Sequence, residues 1–239
     1  MKERIVCAYW GDAESSASLA SMTALKDAEI ITLTLDLGQG TDLEDVRDRA
    51  LAAGAVRAHV LDVREEFARD YILPALRAGA LHEGQAPMAA ALARPLVAKK
   101  LAEIAAIEQA TVAADASGGR ANLWGRVGRT YTLTKSPQDA PDTPAEVEIA
   151  FEQGVPVTVS GIPMALTELI ESLSVIAGHH GVGRLDQGPG IRDQGAGCSE
   201  APAAIVLHAA HQALRTQGRD SGSLRIRLFK GSCTVVPQP

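Results

Sequence analysis

The stretch Arg4–Met22, RIVCAYWGDAESSASLASM, constrains this chain more than any other. Five β-prone residues, Ile5 to Tyr9, empty through a turn at Gly11 into a segment with helical apolar spacing. A strand that runs through a glycine turn into a helix start is a layout suited to holding phosphate. The unpaired amides of the first helical turn and the helix dipole both point at the ligand. Gly11, Ser15 and Ser16 fit that use, whereas Trp10, Asp12 and Glu14 oppose it by bulk or by charge. A carboxylate about 4 Å from a phosphate charge costs roughly 1 kcal/mol in water and roughly 4 at an effective dielectric near 20.

The segments that follow alternate in type. Strands are expected at Ile30–Leu35, Ala58–Leu61 and Thr111–Ala113, and helices at Ser15–Lys26, Leu43–Ala53, Arg64–Ala78 and Met88–Gln109. Short apolar strands alternating with helices predict an α/β fold with a parallel sheet covered on both faces. Ligands of such sheets sit outside the carboxyl ends of the strands. That places Tyr9–Ser16, Asp36–Thr41 and Ala114–Gly119 around one crevice. Asp115 then joins Asp12 and Glu14 in an acidic mouth, and paired carboxylates in a crevice can do acid–base work. The three are the candidate catalytic residues.

At Ala116–Arg129 the chain turns rich in Gly and Arg and loses its apolar period, which marks a junction between domains 1–118 and 119–239. Beyond it strands are expected at Thr130–Thr134, Glu146–Glu152, Val155–Ser160, Leu224–Phe229 and Cys233–Val236. A helix over Leu166–Ala177 is read as stopping at Gly178, and another opens at Pro202 and runs through Leu214. His179 and His180 are read as surface or helix-cap residues. His208 and His211 share a helix face, but without a nearby acid the pair is weak as a metal site.

With 239 residues, 46% hydrophobic but only 3% aromatic, the core must be built from Ala, Val, Leu and Ile. A net charge of −6 with interspersed signs argues against nucleic acid as a partner. Three scattered cysteines suggest free thiols, with no disulfide framework and no zinc site. No leader pattern precedes Arg4 and no apolar run reaches membrane-spanning length, so a cytoplasmic protein away from membranes is expected.

Several stretches together resemble argininosuccinate synthase, the ATP-dependent ligase that joins citrulline to aspartate through a citrullyl-adenylate. They include AYWGDAESS at Ala8–Ser16, DLGQG at Asp36–Gly40, REEFARDYILPAL at Arg64–Leu76 and ALARPLVAKKL at Ala91–Leu101. NLWGR at Asn122–Arg126, VEIAFEQGVPV at Val147–Val157, HGVGR at His180–Arg184, EAPAA at Glu200–Ala204 and RLFKGSCTVV at Arg227–Val236 continue the match in the same order. The resemblance implies an N-type ATP-pyrophosphatase domain, Rossmann-like, followed by a smaller α/β synthetase-like domain. Both are shortened here: segments are missing after Gly118, after Arg126, around Gln187–Gly190 and between Thr216 and Ser223, as is a C-terminal arm. The family assembles as a tetramer; without the arm a homodimer is as natural an expectation as a homotetramer.

What the resemblance implies for the site is a family loop heavily rewritten. Trp10, Asp12 and Glu14 replace a serine, a glycine and an aspartate, while Gly11, Ser15, Ser16, Asp36 and Gln39 remain as nucleotide contacts. Substrate positions that are a tyrosine and a threonine in the family are Ala86 and Ala90 here, and His82 replaces another tyrosine. Arg94 survives, and its guanidinium suits a carboxylate. Trp10, Arg94, Ser117 and His82 are therefore the candidate substrate contacts. Loss of so many polar contacts argues against citrulline–aspartate ligation. The favoured expectation is a repurposed enzyme of specialised metabolism acting on a small cationic or amino-acid-like molecule without a cofactor. ATP and Mg²⁺ enter only under an alternative, a minimal ligase or adenylating enzyme with altered substrates; a non-catalytic binding relative is the third.

Overall fold

The structure, a computed structural model, describes residues 2–25, 28–79, 89–113, 119–185 and 198–237. The chain divides into two compact units: Met1–Arg64 with Ala90–Asn122, and Glu65–Ala89 with Leu123–Pro239.

In the first unit, β1 (Glu3–Ala8), α1 (Ala13–Leu25), β2 (Ala28–Asp36), α2 (Leu43–Ala52) and β3 (Arg57–Asp62) follow one another as the alternation predicts. The sheet is parallel throughout, in the order β3-β2-β1-β4. Ile5, Val6 and Cys7 are all buried, because both faces of a parallel sheet are covered and no polar alternation is needed. Ile5, Cys7 and Tyr9 pack on one face with Leu19 of α1 and Val46 and Ala50 of α2. In the second unit α3 (Arg64–Phe67) passes through a π-helical turn (Ala68–Ile72) into α4 (Leu73–Ala78). Pro74 has no amide to close a bond onto Asp70, and the helix widens by one residue just before it. Returning to the first unit, α5 (Ala89–Glu108) buries a stripe of Ala93, Leu96, Val97, Leu101 and Ile104 before β4 (Thr111–Val112).

Glu108, at the end of α5, is buried and its Oε1 accepts from Arg57 and from His59 Nε2 at 2.8 Å. Its carboxyl is held below its ordinary value, chiefly by the Arg57 hydrogen bond, then, after an opposing burial effect, by His59. A depressed carboxylate contributes stability that is present above its unfolded value, 4.5, and lost as pH falls through the folded one. Thermal midpoints taken from neutral pH into acid should therefore show the wild type's advantage over Glu108→Gln shrinking below pH 4.5. A constant gap across that range would show that the carboxylate's charge contributes nothing.

After β5 (Ala121–Asn122), β6 (Gly125–Gly128) opens the remainder of the second unit. The Gly/Arg junction thus holds short strands around buried Leu123 and Trp124, where composition alone shows only a linker. A five-stranded antiparallel sheet follows, built from β7 (Ala145–Glu152), β8 (Val155–Val159), β9 (Ile162–Pro163), β12 (Gly222–Phe229) and β13 (Ser232–Val236) in the order β13-β12-β7-β8-β9. Val147, Ile149 and Phe151 alternate with exposed or half-buried residues, as do Leu224, Ile226 and Leu228, so one face is buried. α6 (Leu166–His179) and α7 (Pro202–Thr216) pack on this sheet. The turn Gln153-Gly154 has both residues at positive φ, 50° and 74°, which gives the tight hairpin expected there.

Two expectations fail, and they fail together. Thr130–Thr134 is a loop, because the amides of Thr132, Leu133 and Thr134 donate at 2.8–2.9 Å to the buried carboxylate of Glu200 on β11 (Cys198–Glu200). Thr134 Oγ1 adds a bond at 2.7 Å. A carboxylate that gathers successive amides replaces the ladder a strand would need. Nor does Gly178 end α6, which runs through His179. A Cβ at Gly178 would lie 2.0 Å from the Leu133 carbonyl oxygen, so the glycine is there for close approach of that same loop. Arg184, on β10 (Arg184–Leu185), closes the arrangement, its Nη2 donating to Thr134 O at 2.9 Å and its guanidinium lying 4.0 Å over the Tyr131 ring.

Candidate functional site

A cavity of about 450 Å³ lies at the carboxyl ends of β1 and β4, within the first unit, lined by Trp10, Asp12, Glu14, Ser15, Gly119 and Arg120 among others. That volume suits a small metabolite. The position follows from strand order, since β1 is interior to the sheet and β4 lies beside it.

The turn after β1 is held by its own side chains. Asp12 precedes α1 and its Oδ1 accepts from the Ser15 amide at 2.7 Å, the N-cap bond of that helix. Ser15 Oγ donates to Asp12 O at 3.2 Å, and Ser16 Oγ is 2.8 Å from the hydroxyl of buried Tyr9. The Ser15 amide and the Ser15 and Ser16 hydroxyls, donors that a phosphate would use here, thus already have protein partners. Gly11 sits at φ 73° with its missing side chain facing Val46, where a Cβ would meet Cγ2 at 2.8 Å, and its carbonyl accepts from Arg49 Nη1.

Glu14 is exposed and paired with Arg120, Oε2 to Nη2 at 2.6 Å. With both side chains more than half exposed such a pair adds little stability, about 0–1 kcal/mol. Its effect is on the character of the cavity: Arg120 sets a cation beside the two carboxylates. Sequence reasoning missed this residue, whose one signal is its place at the end of a glycine run opposite the nucleotide turn. Gly119, at φ 69°, lies under Trp10, where a Cβ would come 3.0 Å from the indole Cε3. Cys7 also lines the cavity, and burial pushes its thiol up to about 11, so it stays protonated at neutral pH.

Asp36 and Gln39 lie on the β2 side of β1 and do not line the cavity. Asp36 Oδ1 accepts from the Gly38 amide at 2.9 Å, and Gln39 bridges the Leu37 amide and the Leu35 carbonyl at 2.7 and 2.9 Å. Gln39 ties the turn to itself, and Asp36 also pairs through Oδ2 with Arg64 Nε at 3.4 Å. Arg94 is exposed on α5 and does not line the cavity either. Asp115, Ser117 and His82 lie outside the described residues. His180 is the C-cap of α6, the second of the two roles expected of it, but it is buried, and its burial holds the imidazole below its ordinary value. Among the described residues no group of three or more His, Cys, Asp or Glu is placed to hold a metal ion, and no helix is long and apolar enough to cross a membrane.

A parallel sheet with a strand–glycine–helix turn and a cavity at its carboxyl edge defines a nucleotide-binding-type α/β domain. Comparison with known proteins makes this specific. The family description "Arginosuccinate synthase N-terminal HUP domain" matches residues 4–136, and "Arginosuccinate synthase C-terminal domain" matches residues 126–221. Argininosuccinate synthase of Streptococcus suis (strain 05ZYH33) is 34% identical over 286 aligned residues, covering 88% of this chain and 71% of that one. The Rubrobacter xylanophilus enzyme is 35% identical over 351, covering 98% and 85%. Among solved structures, NAD+ synthetase from Burkholderia pseudomallei superposes with a TM-score of 0.33 at 21% identity, covering 46% of this chain and 44% of that one, too partial to carry an argument. The chain belongs to the argininosuccinate synthase family. An alignment of 286 residues that uses 88% of a 239-residue chain crosses gaps in it, so the chain is shortened relative to those relatives.

Proposed function

We propose that this family member binds a small amino-acid-like molecule in the cavity beside Trp10, in place of the pyrophosphate of ATP, and acts on it through the Asp12 and Glu14 carboxylates. The observation that carries this is the Asp12 side chain on the Ser15 amide. It puts a negative charge where a phosphate would have to sit and takes up the Ser15 amide, while the hydroxyls of Ser15 and Ser16 are bonded to protein. The same cavity has the groups a zwitterion needs. Asp12 and Glu14 face an ammonium group, Arg120 pairs with a carboxylate, and the Trp10 indole covers a cation by its face. Asp12 Oδ2 has no protein donor among the described residues and is the oxygen available to take a proton. The backbone of Gly11 favours the rival reading, an ATP-dependent ligase on altered substrates, because its left-handed conformation preserves the turn geometry of a phosphate loop.

Thermal stability separates the two. A ligand at one hundred times its Kd stabilises by about 2.7 kcal/mol, which is several degrees for a chain of this size. Millimolar ATP with Mg²⁺ should leave the wild-type midpoint unchanged, while a panel of free amino acids and their amines contains a compound that raises it. Asp12→Gly, which uncovers the Ser15 amide, should gain a response to ATP. A saturable shift with ATP and Mg²⁺ in the wild type would overturn the proposal. For any substrate so found, Asp12→Asn should abolish turnover, and unchanged turnover would remove Asp12 from the chemistry.

A further inference from the structure

We propose that the second unit carries a separate oxyanion site on α7, suited to inorganic phosphate or the phosphate group of a small metabolite. His208, His211, Gln212 and Arg215 recur at the spacing that aligns residues on one face of a helix. They line a cavity of about 540 Å³ together with Thr216 and the Gly79 end of α4. Among the described residues every polar side chain of that lining can donate a hydrogen bond, and none is acidic. Asp220 lies in a neighbouring groove that shares Arg215.

Three observations point to a ligand. First, His211 is 7% exposed, and its ring nitrogens are not fully enclosed. Its ring packs at 6.3 Å from Phe151, and the residue borders the cavity. The little surface this ring keeps is turned to the cavity, where an anion can accept a hydrogen bond from it. Second, cations crowd it: burial first, then Arg215, His208 and Arg77, hold its imidazole below the ordinary histidine value. An anion among these groups would relieve their mutual repulsion. Third, Arg215 is anchored for the task. Its Nη1 donates to the Arg77 carbonyl at 3.1 Å, and its remaining N–H groups have no protein partner among the described residues. A guanidinium held by one edge presents the other as a fork, the geometry that binds phosphate oxygens in pairs. Arg77 is fixed in turn by a bond from its Nη2 to Gln153 O at 2.7 Å.

The test is calorimetric titration of the full chain with inorganic phosphate, at fixed pH and with ionic strength matched by chloride. Saturable binding is expected in the wild type, weakened about tenfold or more by Arg215→Gln, since one charged hydrogen bond is worth that much. His211→Asn should weaken it as well, with far-ultraviolet circular dichroism confirming the fold of each variant. Arg69→Gln removes the same charge from an exposed residue paired with Asp70 and should bind as the wild type does. A parallel titration with glycerol phosphate distinguishes the sources: tighter binding of the ester assigns a metabolite, and tighter binding of inorganic phosphate assigns the free ion. No saturable binding of either compound, or equal loss in Arg215→Gln and Arg69→Gln, would overturn the proposal.

Discussion

Glu200→Ala should lower the thermal midpoint by on the order of 10 °C, the largest loss expected from any single polar substitution in this chain. Glu200 is 1% exposed and accepts from three successive amides and one hydroxyl. Alanine leaves those donors buried with nothing to accept from them, and each such group costs about 1–3 kcal/mol. Partial relaxation of the loop brings the sum to roughly 3–5 kcal/mol, and a chain of this size loses about 2–4 °C per kcal/mol. Glu200→Gln keeps one acceptor oxygen but turns an NH₂ toward the amides, so its midpoint should fall between wild type and alanine. Differential scanning calorimetry decides the matter: a shift under about 2 °C for the alanine variant would mean that water replaces the carboxylate at no cost.

Gly178→Ala should be as damaging for a different reason. If Gly178 merely stopped a helix, alanine would be mild there. In a helix interior it would even stabilise, by about 1 kcal/mol, because α6 runs on through His179. Against that stands a Cβ placed 2.0 Å from the Leu133 carbonyl oxygen, a backbone atom that cannot swing aside. Overpacking of this kind costs about 1–3 kcal/mol and sometimes more, so the overlap outweighs the propensity. The expected net loss is roughly 2 kcal/mol or more, read as a lowered urea midpoint with an unchanged slope. A variant more stable than the wild type would show that the contact is relieved freely.

Both substitutions bear on the loop that the sequence misassigns. Thr130–Thr134 has the β-prone residues of a strand, but strand formation depends on a neighbour to pair with, and here Glu200, distant in sequence, offers a better set of bonds. Gly178 carries the signature of a helix stop because composition cannot tell a left-handed glycine from one that admits a backbone. The alternating first unit was legible almost to the residue, since burial on both faces writes itself into runs such as Ile5–Cys7. Trp10, Asp12 and Ser15 were legible as the rim of a site because they sit in one turn. Arg120 was not: its relation to Glu14 spans 106 positions and arises from β4 pairing beside β1. The same strand order puts Asp36 and Gln39 on the far side of β1 from the cavity, although both flank a strand end in the sequence.

The packing of Trp10 on Gly119 also gives the protein its own optical probe. The chain has two tryptophans, and Trp124, 3% exposed, belongs to the other unit. An indole on a cavity wall changes its emission when water beside it is replaced by a bound molecule, whereas a buried one supplies a steady background. Emission recorded from Trp124→Phe reports Trp10 alone, so libraries of metabolites can be screened against this cavity without a label and before any reaction is known.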